Sequence, residues 1–420
     1  MTTTAPPRRT ASLWRHADFL KLWGAQAVSA FGARIAREGL PMTAVLVLKA
    51  PPASMGALMA VGLASYGAQG VVAGWLADRL PRRALMIGAD LGRMALMLAV
   101  PAAALAHALD LVELALALGL MSALTALFDV ADHAFLPSVI ERELLVDGNA
   151  KLATTDSLAE IGGPAAAGVL FQLFAAPVAV ALSAVTYLAS ALALAALPVR
   201  PAAADTDDDA PPAPFAPLAG FRAALTHPVV RPIWLMATAG DFFGWFFGAL
   251  YLIYALTVLR LTTAELGLTI AAGGVGALIG ATLAPLATRA LGAGRAIVLA
   301  SLAMGAAAFL IPLAGGAPAT AMAVLIAAQL VGDALRAVTE IAEASLRQSI
   351  LPAAQLGRIA GAFAAGRGGA GVLGALIGGA LGSWIGPRET LLLGAAGVTA
   401  VPLIGLASPL WRARVRAGGD

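Results

Sequence analysis

The sequence has no cysteine and few charged residues, and each shortage excludes a class of protein. Without cysteine, the chain can form neither disulfides nor thiolate metal sites. Its four histidines are too scattered to give the spacing of metal ligands. Only 12% of the 420 residues are charged and 60% are hydrophobic, which leaves too few polar side chains to cover a soluble protein of this size. The composition therefore predicts a protein whose solvent is the lipid bilayer.

Enzymatic and nucleic-acid functions find no support in the residues. The sequence contains no nucleotide-binding loop, no nucleophile with a base at a recognisable spacing and no large soluble domain. A membrane-embedded enzyme or scaffold is therefore a remote alternative, and we expect no cofactor. The net charge of +3 would suggest nucleic acid in a soluble protein, but here the positive charge marks short cytoplasmic loops. We expect no nucleic-acid partner.

Long apolar runs recur along the whole chain. A helix needs about 20 apolar residues to cross the ~30 Å hydrocarbon layer of a membrane. The sequence predicts an all-α membrane protein with twelve spans of this kind. In chain order, spans one to twelve are Leu22–Leu48, Met55–Ala77, Ala84–Leu105, Leu111–Leu136, Leu152–Phe174, Val178–Leu197, Ile233–Val258, Leu266–Ala287, Ala296–Leu313, Thr320–Ser345, Ala360–Trp384 and Thr390–Leu406.

Basic residues outside the spans predict the orientation. With the N-terminus in the cytoplasm, the cytoplasmic segments hold 19 of the 27 Lys and Arg residues, the outer loops hold 3 and the spans hold 5. Because short cytoplasmic loops carry an excess of Lys and Arg, this bias favours cytoplasmic positions for both termini. The first span lacks a small-residue cleavage site, so we expect it to stay as a helix. The predicted location is the bacterial plasma (inner) membrane.

A change of composition separates the two halves of the chain. The stretch from Pro198 to Pro217 is rich in proline and alanine and carries four aspartates, so it cannot bury enough surface to fold by itself. The short run Leu218–Leu225 after it predicts an interfacial helix. We predict an N-terminal six-helix bundle over residues 1–197, a cytoplasmic linker with the interfacial helix over 198–229, and a C-terminal six-helix bundle over 230–420.

The two halves resemble weak copies of each other. The pair Leu136-Pro137 closes span four, and Leu351-Pro352 follows span ten 215 residues later. Weak symmetry at half-length is typical of transporter repeats. The alternative is that helices rich in glycine and alanine resemble each other by composition alone.

Ionisable residues inside the spans are concentrated in every third helix. Each costs roughly 2.5–3.5 kcal/mol at bilayer depth, so we expect it to face protein or water instead of lipid. Three-helix repeats would bring these helices around one cavity, where a small-molecule substrate and protons would pass. The candidate transport and proton-coupling residues are Arg34, Arg37 and Glu38 in span one, Asp129, Asp132 and His133 in span four, Asp241 in span seven, and Asp333, Arg336, Glu340 and Glu343 in span ten.

The spacing of these residues predicts local pairs. Positions 333, 336, 340, 343 and 347 step by three or four, so they lie on one helical face. The expected pairs are Asp333 with Arg336, Arg336 with Glu340, and Glu343 with Arg347. These residues form either a self-neutralising stripe that holds helices together or a wet stripe along a substrate and proton path.

Spans one and four each hold two ionisable groups that are one helical turn apart. Arg34 and Glu38 are expected to pair with each other near mid-membrane. Asp129 and His133 have the same spacing, and a local hydrogen bond between them is favoured over a proton relay.

A short motif lies between spans two and three. The stretch Gly74–Arg83 reads Gly-Trp-Leu-Ala-Asp-Arg-Leu-Pro-Arg-Arg. It resembles the signature loop of the major facilitator superfamily, except that Pro81 stands where the family usually has glycine. The resemblance implies a gating loop, to which we add two charged residues of span three. The predicted gate comprises Gly74, Asp78, Arg79, Arg82, Arg83, Asp90 and Arg93.

Span five contains a second motif. Gly163, Pro164 and Gly168 resemble the antiporter motif in the fifth helix of exporters, although Ala159 and Ala167 replace two of the expected glycines. The alternative is a seam of small residues that only lets helices pack closely.

Further short matches narrow the resemblance to the branch of the superfamily that contains enterobactin exporters and macrolide efflux proteins. It implies two pseudo-symmetric bundles, alternating access and export driven by proton entry. We therefore expect a monomeric secondary transporter that exports a drug, a siderophore or a secondary metabolite, and the alternative is a lipid or lysolipid flippase on the same fold. The matching stretches are Phe128–Ala131, Leu136–Ser138, Gly148–Lys151, Ala271–Ala277 and Ser345–Gln348.

Overall fold

The computed structural model describes residues 13–77, 79–141, 144–197 and 217–414, and these residues form helices and no strands. Fifteen α-helices follow one another along this part of the chain. They are α1 Ala17–Leu46, α2 Pro52–Ala77, α3 Arg82–Leu105, α4 Leu111–Phe135, α5 Leu145–Leu173, α6 Ala176–Ala195, α7 Pro217–Thr226, α8 Val230–Ile253, α9 Thr263–Leu291, α10 Ala293–Ala308, α11 Leu310–Leu313, α12 Pro318–Ile350, α13 Ala353–Trp384, α14 Pro387–Ala400 and α15 Leu403–Leu406.

Each of the twelve predicted spans coincides with helix. Spans one to six are α1 to α6, span seven is α8 and span eight is α9. Span nine is α10 with α11, spans ten and eleven are α12 and α13, and span twelve is α14 with α15. Among the described residues, nine helices are long and apolar enough to cross a membrane by length and composition. The predicted fold class, an all-α membrane protein with two pseudo-symmetric six-helix bundles, is confirmed.

Several helices are longer than the apolar runs that predict them. Helix α5 begins at Leu145 instead of Leu152, and α13 begins at Ala353 instead of Ala360. A helix can continue past the hydrocarbon layer, because the headgroup regions extend the bilayer to about 40–45 Å and water satisfies its polar surface there. Hydropathy therefore marks the membrane-embedded part of each helix and leaves out its ends.

Local chemistry sets several of the connections. Asp110 begins α4, because its side chain accepts a hydrogen bond from the Glu113 amide at 2.8 Å. Thr262 and Glu265 form a capping box that begins α9. Gly292, with φ of +83°, makes the sharp link from α9 to α10, where an L side chain would be strained.

Each bundle has a core of its own near the end where the termini lie. In the N-terminal half this core includes Phe19, Met86 and Ala131. In the C-terminal half it includes Ile297 and Leu346. A larger core contains residues of both halves and lies toward the opposite end of the helices.

The bundles contact each other through two seams on one side of the membrane. At the first seam, where α5 ends and α9 begins, the Thr263 hydroxyl donates to the Gly168 carbonyl at 3.0 Å. At the second, where α2 begins and α13 ends, the Ala53 amide donates to the Ser383 hydroxyl at 2.9 Å. Because the helices alternate in direction, these two seams lie on the side opposite to Leu13 and Arg414, the first and last described residues.

One short helix lies within the predicted segment 198–229. A ten-residue helix, α7, forms at the predicted interfacial run and packs against α13 and α8. The linker residues 198–216 lie outside the described residues. The cytoplasmic position of α7 and the borders of the three segments stay predictions.

Candidate functional site

A cavity of about 250 Å³ lies inside the C-terminal bundle, between α8, α10, α12, α13 and α14. One part of its wall is apolar, and another part carries four carboxylates and two guanidinium groups. The apolar residues include Met236, Phe247, Met304, Ile311, Val398 and Val401, and the charged residues are Asp241, Asp333, Arg336, Glu340, Glu343 and Arg367.

Arg367 of α13 ties three helices together at this wall. Its Nε donates to Asp241 Oδ2 at 2.7 Å and its Nη2 to Asp241 Oδ1 at 3.3 Å, so it grips the carboxylate of α8 with two nitrogens. Its Nη2 also lies 3.5 Å from Glu340 Oε1 of α12. A movement of α13 would therefore change the ion pairs that Arg367 makes with α8 and α12.

Arg336 is shared between two carboxylates on its own helix. Its Nη2 lies 3.0 Å from Asp333 Oδ1, and its Nη1 lies 4.0 Å from Glu340 Oε1. These are two of the three local pairs that the spacing along α12 predicts. Asp333 also approaches α9 closely, because a Cβ added at Gly273 would overlap its Oδ2.

The third predicted pair is wrong. Glu343 is only 5% exposed, yet none of the described residues places a basic nitrogen within 4.0 Å of its carboxylate, which also accepts no hydrogen bond from them. Arg347 instead lies over the ring of Phe363 at 4.2 Å, and its Nε donates to the Glu343 backbone carbonyl at 3.4 Å. The aromatic face of α13 competes for this guanidinium. Among the described residues, Glu343 is therefore a buried carboxylate on the cavity wall without an ion-pair partner.

The N-terminal bundle has a charge cluster centred on Glu160 of α5. Arg34 Nη2 lies 2.7 Å from Glu160 Oε2, and Arg37 Nη2 lies 2.8 Å from Glu160 Oε1. Arg37 Nε also lies 3.3 Å from Glu38 Oε1. The predicted pair of Arg34 with Glu38 is not formed, because Arg34 is turned toward α5. Arg37 is shared between two carboxylates, as Arg336 is in the other bundle.

Asp90 and Arg93 lie inside the N-terminal bundle and not at the surface of the basic loop. Their ion pair measures 2.5 Å, and the two side chains are 0% and 1% exposed. The Arg93 guanidinium lies 4.4 Å from the ring centroid of Phe128 and 4.8 Å from that of Tyr187. Asp90 Oδ1 also accepts a hydrogen bond from Ser29 at 3.2 Å. The pair therefore fills the space between α1, α3, α4 and α6.

The remaining residues of the predicted gate are only partly described. Asp78 lies outside the described residues. Gly74 lies in α2, but its contacts are not described. Arg79 and Arg82 are exposed. Arg83 Nε donates to the Leu194 carbonyl at 2.8 Å, which anchors the loop to the last turn of α6 within the same bundle.

The predicted residues of span four lie apart from the C-terminal cavity. Asp132 accepts a hydrogen bond from the Gln26 amide of α1. Asp129 is partly buried, and the side chain of His133 lies outside the described residues. The predicted hydrogen bond of Asp129 with His133 therefore stays a prediction.

The motif of span five forms part of the seam between the bundles. A Cβ added at Gly168 would overlap the Thr263 carbonyl oxygen of α9, and one at Gly163 would overlap the Arg34 side chain. Pro164 lies inside the helix and its carbonyl oxygen faces Gly267. These contacts are those of the close-packing alternative, and a directional role for the motif stays a prediction.

Glu160 and Arg367 are the two charged residues of the site that sequence reasoning missed as candidates. Both lie in glycine-rich spans, where the sequence pattern is dominated by small residues that indicate close helix packing. A signal was available, because a lone charge in an apolar span must find a partner on another helix. Arg367 is such a residue, whereas Glu160 shares span five with Asp156. Each of Glu160 and Arg367 forms ion pairs with a neighbouring helix.

Comparisons with known proteins agree with this architecture. The model of the Major Facilitator Superfamily matches residues 22–375. The nucleoside transporter NupG has a TM-score of 0.76 at 12% identity, over 93% of this chain and 98% of that chain. The peptide transporter POT has a TM-score of 0.72 at 15% identity, over 96% of each chain. A bacterial homologue of the iron transporter ferroportin in the inward-facing state has a TM-score of 0.71 at 19% identity, over 96% of this chain and 100% of that chain. No curated protein matches the sequence.

Proposed function

The chain belongs to the major facilitator superfamily, and we propose that it exports amphiphilic small molecules in exchange for protons by alternating access. Membership makes it a multi-pass membrane transporter and not an enzyme. The solved relatives carry substrates as different as nucleosides and peptides, so membership alone sets neither the direction nor the substrate nor the coupling of transport.

The observation that carries the proposal is the cavity with its divided wall. Methionine, phenylalanine and branched side chains offer an apolar surface, while four carboxylates and two arginines supply polar contacts beside it. Ligand pockets that bind amphiphiles combine a mostly apolar wall with a few placed polar groups. The four carboxylates outnumber the two guanidinium groups, so this wall does not favour an anionic substrate such as a nucleotide.

The seams between the bundles support loading from the cytoplasm. The hydrogen bonds that join the bundles at Thr263 and Ala53 lie on the side away from the chain ends. The bias of basic residues favours a cytoplasmic position for those ends. The outer side is therefore held closed in this conformation, and substrate would enter from within the cell. Rocking of one bundle against the other would then open the outer side.

Shared arginines supply a physical route to proton coupling. Arg37 contacts both Glu38 and Glu160, and Arg336 contacts both Asp333 and Glu340. If such an arginine moves fully to one carboxylate, the other is left in the membrane without a compensating charge, and a proton neutralises it. Glu38 and Asp333 are the proposed proton carriers, since each shares its arginine with a second carboxylate.

Transport by the purified protein in proteoliposomes tests the proposal. A panel of drugs, siderophores and secondary metabolites is offered with and without an imposed pH gradient, and a protonophore is the control. We expect gradient-driven accumulation for some members of the panel. Glu38→Gln or Asp333→Asn should abolish that accumulation while leaving downhill exchange of the same compound. If neutralising each carboxylate in turn leaves accumulation intact, coupling to protons is wrong.

The same vesicles separate export from lipid movement. A fluorescent lysolipid that crosses the bilayer in the presence of the protein, while no member of the panel accumulates, would favour the flippase.

The mass of the purified particle checks the predicted monomeric state, and reporter fusions check the predicted orientation in the bacterial inner membrane. Reporter fusions after Arg83 and Arg416 should report cytoplasm, and one near Lys49 should report the outside.

A further inference from the structure

The two bundles can be aligned by the starts of their equivalent helices. Helix α3 begins at Arg82 and α10 at Ala293, 211 residues later, and the same separation divides the starts of α6 at Ala176 and α14 at Pro387. For α4 and α12 the shared Leu-Pro pair gives a separation of 215 residues. Positions in one bundle can therefore be compared with positions in the other.

Asp90, Arg93, Phe128 and Tyr187 fill the interior of the N-terminal bundle, and we call them the plug. The alignment places this plug on the cavity of the C-terminal bundle. Asp90 and Arg93 correspond to Ser301 and Met304, Tyr187 corresponds to Val398, and Phe128 corresponds to Glu343. The four N-terminal residues are buried and in contact around the Arg93 guanidinium. All four C-terminal counterparts line the cavity. The cavity thus exists because smaller side chains stand where the N-terminal bundle has a large buried ion pair and two aromatic rings.

The cavity has the chemistry of a site for a positive charge. Its four carboxylates and two guanidinium groups leave two negative charges in excess. Both guanidinium groups already contact carboxylates. Glu343, in contrast, is only 5% exposed and has no ion-pair partner among the described residues. A buried charge of this kind is costly unless a partner neutralises it. A cationic ligand would supply that partner.

The rest of the wall limits the size and character of the ligand. Met236, Met304 and Val398 surround the polar part with apolar and polarisable side chains, which suit alkyl groups on a cation. The volume of about 250 Å³ lies below the ~300–1,000 Å³ of ordinary ligand pockets. The cavity is therefore sized for one end of a substrate and not for the whole of a large molecule.

We infer that the interior of the C-terminal bundle is a binding subsite for the cationic end of the substrate, an alkylammonium group whose charge is paired with Glu343. The inference deepens the proposed function and rests on it for the identity of the ligand as a substrate. Binding itself can be measured without transport.

The test uses the full-length protein in lipid nanodiscs and radiolabelled hexyltrimethylammonium as the probe, with no gradient. Hexan-1-ol and hexyl sulfate serve as competitors, because they share the chain but carry no charge and a negative charge. We expect saturable binding of the cation and no displacement by hexyl sulfate. Equal displacement by hexyl sulfate and by hexan-1-ol would show that the hexyl chain and not the positive charge is recognised, and would overturn the inference.

Two kinds of variant separate charge from volume. Glu343→Gln keeps the size of the side chain and should raise the Kd of the cation at least about tenfold, because it removes the buried partner. Met304→Trp keeps the charge and should abolish binding by filling the cavity. Val398→Tyr, which introduces the residue type of the other bundle at the aligned position, is a second filling variant if Met304→Trp does not fold. Unchanged Kd values in Glu343→Gln and in the folded filling variants would overturn the inference.

Matched controls lie outside the cavity. Glu113→Gln removes an exposed carboxylate, and Leu299→Trp adds the same bulk at an exposed position of α10, so both should bind as the wild type does. Losses in these controls equal to those in the cavity variants would contradict the site. Gradient-driven transport without cavity binding would sink this inference alone, whereas cavity binding without gradient-driven transport would sink the proposed function alone.

Discussion

In the N-terminal bundle the space between α1, α3, α4 and α6 is filled by the Arg93 guanidinium and its aromatic neighbours, whereas the equivalent space of the C-terminal bundle stays open as a cavity of about 250 Å³. The helices that surround the two spaces run in the same order. The difference arises from a few positions, chiefly Asp90 and Arg93 against Ser301 and Met304. Repetition of a fold therefore does not repeat the chemistry of its interior.

The comparison also assigns different physical roles to buried charge. In the N-terminal bundle a positive and a negative charge neutralise each other inside a packed core, which gives no opening for a ligand. In the C-terminal bundle Glu343 has no ion-pair partner within the part of the chain that the structure describes, and it lies beside free volume. One bundle is thus suited to act as a rigid body, and the other is suited to bind.

The largest effect is expected from breaking the plug. Arg93→Met leaves Asp90 buried without its partner and should lower the free energy of unfolding by about 3–5 kcal/mol. The double variant Asp90→Ser with Arg93→Met carries the residues of the other bundle and should recover part of that loss, since it buries no charge. Thermal unfolding in detergent, followed by tryptophan fluorescence, measures both. A single variant as stable as the wild type would show that the pair is not structurally required.

A smaller effect is expected at the Arg367 junction of the cavity wall. In a double-mutant cycle with Asp241→Asn and Arg367→Gln, the coupling should fall within about 0.5–3 kcal/mol, because the two side chains are in direct contact. The same unfolding measurement provides the four free energies of the cycle. Additive losses would mean that the two-nitrogen contact of Arg367 with Asp241 contributes nothing to holding α8 and α13 together.

The third effect concerns the cluster at Glu160. Glu160→Gln removes the partner of two arginines and should cost up to about 1 kcal/mol, since the group is partly exposed. Glu38→Gln should cost less stability, because Arg37 keeps Glu160 as a partner. Unfolding of the two variants side by side checks the order. The reverse order would assign the structural role to Glu38 and leave Glu160 as the better coupling candidate.

The smallest effect is expected at the seam between the bundles. Gly168→Ala should push α5 away from Thr263 and lower the population in which the bundles are joined at the seams, whereas Gly88→Ala, which meets no neighbouring atom, should not. Because the chain has no cysteine, Ala53→Cys with Ser383→Cys introduces a unique pair for a short crosslinker across the second seam. Crosslinking should slow severalfold in the Gly168 variant. An unchanged rate would show that α5 and α9 tolerate the added methyl group without separating.

Local rules predicted the contacts that one helix makes with itself. Asp333 and Arg336 are three residues apart, so the helical period alone brings them onto one face, and the pair forms. The same rule was wrong for Glu343 with Arg347, because Phe363 of α13 offers the guanidinium another partner. It was wrong for Arg34 with Glu38, because Glu160 of α5 lies within reach. A local rule holds only where no neighbouring helix competes.

The sequence by itself determined that the protein lies in a lipid bilayer, how many spans it has and which class of fold it forms. These follow from the length of apolar runs and the charge of loops, which can be read from short stretches of the chain. The tertiary structure decided which charges meet. Glu160 joins Arg34, and Arg367 joins Asp241, across more than 120 residues of sequence. It also decided that Arg93 fills one bundle while Glu343 faces a cavity in the other. These outcomes depend on how helices pack, and helical spacing contains no information about the neighbour that a side chain will meet.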